Sequence, residues 1–150
     1  MSMEAVTVLS TIILGVFGIL ITRYYSKQSK QLADDQMMKE LFTEFNRRYD
    51  EINDSLEIIH NSYPTMEKLN AAQDSAELKN KVIDFFNLCA EEYYWSYHKK
   101  RIDPLVWKSW NEGMNYWYNS TASIKDMWLR EVENGGLASY YVTDNKGFFK

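Results

Sequence analysis

The chain has 150 residues, 45% of them hydrophobic and 15% aromatic, and a net charge of −4. That length holds one compact domain of ordinary size, and the acidic balance argues against the basic body that bulk nucleic-acid binding needs. One cysteine, Cys89, excludes an intrachain disulfide and fits a reducing compartment.

The first element in chain order is AVTVLSTIILGVFGILIT, residues 5–22, which carries no charge and is apolar apart from Thr7, Ser10, Thr11 and Thr22. A bilayer core of about 30 Å needs about 20 helical residues at about 1.5 Å each, so this run sits near the lower end of a transmembrane span. Tyr24 and Tyr25 stand where an interfacial belt belongs, and Arg23, Lys27 and Lys30 precede the next acid, Asp34. By the positive-inside bias, residues 1–25 are expected to anchor the chain in a membrane, N-terminus outside, with residues 26–150 as a cytoplasmic helical domain. A cleaved signal would need a basic leader and a small-residue cleavage site, and neither is present. Thr11, Gly15, Gly18 and Thr22 fall on one helical stripe, a face suited to close approach of a second membrane helix.

Residues 26–60 then read as a long amphipathic helix, because Met38, Phe42, Phe45, Tyr49, Ile52, Leu56 and Ile59 recur at steps of four and three. Asn61-Ser62-Tyr63-Pro64 ends it. A second helix is expected over 75–100, with Leu78, Val82, Phe86, Cys89, Tyr93 and Tyr97 on one face and Lys99, Lys100 and Arg101 closing it as the helix dipole favours. Asp103-Pro104 is an N-cap with proline at the first helical position, opening a third helix to about Tyr118. Ile124, Met127, Trp128 and Val132 define a fourth, stopped at Gly135-Gly136. The end of the chain admits a short hairpin around Asp144-Asn145-Lys146-Gly147 as readily as an irregular tail. The expected fold is therefore all-α: a transmembrane helix followed by a compact bundle of about four helices.

Enzyme signatures are missing from the sequence. It has no Gly-rich phosphate loop, no CxxC, no HExxH and no GxSxG. Asp50–Asp54 fails as a calcium loop because Ile52 takes a ligand position. No catalytic residue, cofactor or metal is implied. Two polar details stand out. Arg48 and Glu92 each border an apolar helix stripe, so a pair between them could fix the register of the two long helices. Around YYWSYHKKRIDPLVWKSW, residues 93–110, helix geometry cannot turn every ring inward. Tyr94, Trp95 and Trp107 could then offer ring faces, and Lys99, Lys100, Arg101 and Lys108 cationic groups, to an anionic nucleotide. Core packing and helix caps would produce many of the same letters, and a membrane-facing surface is a third use.

The strings LFTEFNRRYDEIN, FFNLCAEEYYWSY and VWKSWNEGMNYWY resemble those of short bacterial proteins with one N-terminal membrane helix and a helical cytoplasmic domain. The plan is also similar, in architecture and size, to small CRISPR-associated membrane effectors that sense cyclic oligoadenylates. What these resemblances imply is an oligomeric sensor or effector in contact with membrane lipid, gated by a cyclic nucleotide and acting on the membrane in antiviral defence. The alternative expectation is a constitutive anchor that holds a protein partner against an aromatic-rich helical surface.

Overall fold

The computed structural model describes residues 2–143 and 147–150. Among them every regular element is helical: α1 (Met3–Ser62), α2 (Met66–Ala71), α3 (Ser75–Tyr93), a π-helical segment (Tyr94–His98), α4 (Pro104–Ser120), α5 (Ala122–Val132) and a 3₁₀ segment (Glu133–Tyr140). The all-α expectation is met. The chain divides into two units, Met1–Glu40 and Leu41–Lys150. This division falls later than residue 25, and none of residues 26–40 is buried.

The first unit is helix throughout its described length beyond Ser2. It holds an 18-residue window of mean hydropathy 2.4, none of it buried, so α1 is long and apolar enough to cross a membrane. The hydroxyls in this stretch are satisfied within the helix. Thr7, Thr11 and Thr22 donate to the carbonyls of Met3, Thr7 and Gly18 at 2.8–3.0 Å, and Ser10 donates to that of Thr7. Such bonds matter in an apolar surround, where an unpaired hydroxyl has no water to turn to.

The second unit owns the core. Phe45, Ile52, Leu56 and Ile59 of α1 are buried, as are Leu78, Val82, Phe85, Phe86, Leu88 and Cys89 of α3. They include most of the positions that the four-and-three spacing marks, but Phe42 and Tyr97, which the same spacing places on these faces, are exposed. Tyr63 and Pro64 do break α1, and the turn is stitched to the start of α5: Ser123 donates its N–H to the carbonyl of Pro64 and its hydroxyl to that of Tyr63, each at 2.9 Å. The Asp103 cap forms as read, its carboxylate accepting from the N–H of Leu105 at 2.8 Å.

Three departures have local causes. The six residues of α2 are too short to show a periodicity; the side chain of Thr65 caps them, and Leu69 is their buried contact. The helix expected to reach Lys100 instead leaves the α register at Tyr94. The Gly135-Gly136 stop becomes the first part of a 3₁₀ turn. Gly135 has φ +91, and a Cβ on Gly136 would stand 2.0 Å from the carbonyl oxygen of Glu131.

Of the hairpin turn expected around Asp144-Asn145-Lys146-Gly147 the first three residues lie outside the described residues, and no strand is found among the described residues on either side. The final residues are ordered by α4. Asn111, Asn115 and Asn119 stand four apart along that helix. The side chains of Asn111 and Asn115 donate to the backbone oxygen of Phe148 at 2.7 and 3.0 Å, and Asn119 donates to that of Lys150 at 3.1 Å. The N–H of Lys150 returns a bond to the side-chain oxygen of Asn115 at 2.7 Å. This ladder seats Phe148 in the core against Trp128, at 5.0 Å between ring centroids, and stacks Phe149 on Tyr118 at 4.6 Å.

Candidate ligand-binding site

The aromatic and basic stretch folds into the irregular junction between α3 and α4. Within the π segment the N–H of Lys99 reaches the carbonyl of Tyr94, and that of Arg101 reaches the carbonyl of Trp95, both at 3.0 Å. Lys100 between them adopts φ 53. This is the left-handed closure of a helix C-terminus, widened by one residue, at a position that usually holds glycine. A lysine there carries a backbone strain of about 1 kcal/mol.

The expected ligand residues separate into two groups. Lys100 and Trp107 share an open cleft of about 620 Å³ with Ser96, Tyr97, Ile102 and Pro104. Tyr94 is engaged elsewhere: its ring lies 5.0 Å from that of Tyr141 and 5.8 Å from His98, the ammonium of Lys99 sits over it at 5.4 Å, and Trp95 meets it edge-on at 6.0 Å. His98 adds to this cluster, its Nε2–H donating to the carbonyl oxygen of Tyr141 at 2.8 Å. Tyr94 and His98 thus tie the later chain to the π segment, and Lys99 packs on the Tyr94 ring. Trp95, Arg101 and Lys108 are not among the cleft walls, and both Arg101 and Lys108 are exposed.

The pair expected between Arg48 and Glu92 is corrected by one residue. Arg48 makes a bidentate contact with Glu91, at 2.6 and 3.1 Å. Successive helix positions turn by about 100°, and Glu92 follows Phe85, Leu88 and Cys89 into the buried stripe while Glu91 stands at its edge. Arg47, the neighbour considered for an anionic partner, is held by Glu44 and Glu51 of its own helix.

For Glu92 the sequence marked the residue beside the apolar stripe but not its burial. It is 6% exposed, and no hydrogen bond reaches its carboxyl within the described residues. Burial pushes its pKa up to about 8, against the opposing charge of Arg48. It lines a cavity of about 180 Å³ with Asn46 and Tyr49 of α1, Phe85, Leu88 and Cys89 of α3, and Ser109, Trp110, Gly113 and Met114 of α4. Burial and the nearby Glu92 also raise the pKa of the Cys89 thiol well above its usual value, so it is a packed apolar group rather than a nucleophile. The Tyr49 hydroxyl accepts from the indole N–H of Trp117 at 2.8 Å.

Among the described residues no group of three His, Cys, Asp or Glu side chains is placed to hold a metal ion. On the apolar stretch of α1 a Cβ on Gly15 or Gly18 would meet nothing, while the hydroxyls of Thr11 and Thr22 are taken up by their own backbone. No family model, curated protein or solved structure matches the chain.

Proposed function

We propose that the chain is a membrane-anchored sensor or effector that works as a homo-oligomer, its helical body taking an anionic, ring-bearing ligand of the cyclic-nucleotide class. The observation that carries this reading is Lys100. A strained non-glycine residue at the close of a π-helical turn presents an ammonium group at a cleft walled by Tyr97 and Trp107. Backbone strain and π turns gather at functional sites, and the cation and rings match phosphate and base. The apolar run at 5–22 supplies the inner-membrane anchor, with Arg23, Lys27 and Lys30 keeping the body cytoplasmic. The ligand acts by binding one assembly state more tightly than another, which changes the packing of the Thr11, Gly15, Gly18 and Thr22 faces. A response of this kind suits antiviral defence.

The test is thermal unfolding of the full chain in detergent against a panel of cyclic di- and oligonucleotides, with light scattering on each. A ligand at about 100 times its dissociation constant adds about 2.7 kcal/mol, a shift of several degrees for a body of this size. The Lys100→Gly variant is expected to lose that shift while melting higher than the wild type without ligand, because glycine accepts the left-handed backbone. No shift with any member of the panel would overturn the nucleotide reading, and a co-purifying protein would then favour the scaffold.

A further inference from the structure

We propose that the cavity between α1, α3 and α4 is a binding site for a small organic cation: a primary ammonium group on an apolar body of about ten non-hydrogen atoms, with Glu92 as its counter-ion. The site is separate from the Lys100 cleft and does not rest on it.

Three observations converge. The first is charge. The Arg48 guanidinium is engaged by both oxygens of Glu91, so among the described residues no ion pair reaches the neighbouring Glu92, on which the Arg48 charge acts without outweighing burial. A carboxyl on a residue only 6% exposed, turned to a cavity and without a hydrogen bond among the described residues, is costly, and such groups mark sites rather than cores.

The second is shape. A cavity of about 180 Å³ has the room of about six waters at about 30 Å³ each, enough for a small organic molecule. Its walls bring together the rings of Tyr49, Phe85 and Trp110 beside the carboxyl. Aromatic walls around one carboxylate suit an ammonium ion on an apolar body. Exposed Ser109 and half-exposed Asn46 stand at its mouth.

The third is Gly113. It lies inside α4, where glycine costs about 1 kcal/mol relative to alanine. Nothing stands within 4 Å of where its Cβ would be, and its φ is not left-handed. Neither crowding nor backbone conformation calls for glycine. What its missing side chain does is leave room in the cavity.

Binding moves a proton. Burial favours the neutral acid of Glu92 at pH 7, and an ammonium guest stabilises the carboxylate, so the carboxyl O–H breaks and its proton passes to water as the ion pair forms. The other ionisable groups facing Glu92 are Arg48 and Tyr49 from α1 and Cys89 and Glu91 from α3; the lining residues of α4 include none. Affinity should therefore rise with pH up to about 8 and then level off.

The experiment is isothermal titration of the full chain in detergent with phenethylammonium and n-hexylammonium, at pH 7 in two buffers of different ionisation enthalpy. Saturable binding with proton release is expected for at least one. The Glu92→Gln variant should bind about tenfold or more weakly and release no proton. Gly113→Leu should block the site, with circular dichroism confirming its fold. 2-Phenylethanol, matched in shape and uncharged, should bind about tenfold or more weakly than phenethylammonium. Equal binding of the alcohol would mean an apolar filler only, and would overturn the proposal. Undiminished affinity in Glu92→Gln, or no binding of either ammonium ion, would overturn it as well. The glutamine variant keeps the test decisive if the leucine variant fails to fold.

Discussion

Glu92 makes the stability of the body depend on pH in a direction opposite to that of most carboxylates. Its folded pKa, about 8, lies above its ordinary value of 4.5. Between those values the folded state holds a proton that the unfolded chain has released. Stability is therefore greatest below pH 4.5, as far as this group is concerned, falls as pH rises through neutrality, and is flat again above about 8. One proton changes the unfolding free energy by at most about 1.4 kcal/mol per pH unit. Denaturant unfolding of the full chain between pH 5 and 9 should show that decline, about, and Glu92→Gln should remove it. An unchanged slope in the variant would assign the pH dependence to other groups. Sequence reasoning reached Glu92 as a charge beside an apolar stripe and then gave it the wrong partner. One helix fixes the angle between neighbouring residues, but which of them faces inward depends on where the next helix lies. That information is not local, so Glu91 and Glu92 could not be told apart.

At the scale of elements, α4 does the work of a sheet edge with side chains. Asn111, Asn115 and Asn119 satisfy backbone groups of Phe148 and Lys150 that have no strand to pair with. Asn115 is the central rung, since it both donates to Phe148 and accepts from Lys150. Asn115→Ala should cost about 1–3 kcal/mol and expose Phe148, seen as a lower melting temperature and faster proteolysis near the C-terminus. Asn119→Ala removes one exposed bond and should cost less than about 1 kcal/mol. Equal effects would mean that the ladder is not what holds the segment. The four-residue spacing of these amides is visible in the sequence, yet a polar stripe reads as a solvated face until its partner is known. The long helices were legible because each carries several turns of apolar repeat. The π segment was not: a register change inserts one residue without altering composition, and the basic run at 99–101 looked like an ordinary helix end.

For the whole molecule, the exposed apolar run of α1 sets how the protein must be handled. The reading of residues 5–22 as a membrane segment predicts that the full chain stays with the membrane fraction through an alkaline wash. Leu14→Arg, at a position 71% exposed in the middle of that run, should raise the extracted share several-fold, because a charge there costs about 3 kcal/mol on insertion. Complete extraction of the wild type would overturn the membrane assignment. The apolar run was legible because hydropathy needs no tertiary context, and the second unit was legible in outline because its core faces repeat. The cavity was not, since a void has no letters. Gly113 bears on practice as well as on mechanism. A library selected for heat tolerance should enrich Gly113→Ala, which gains helix propensity while placing a methyl group in the cavity. Lys100→Gly should rise in the same library, because it relieves the left-handed turn beside the cleft. The most heat-tolerant version of this protein would then be the poorest bait for the ligands proposed for it, and screening should begin with the chain as nature wrote it.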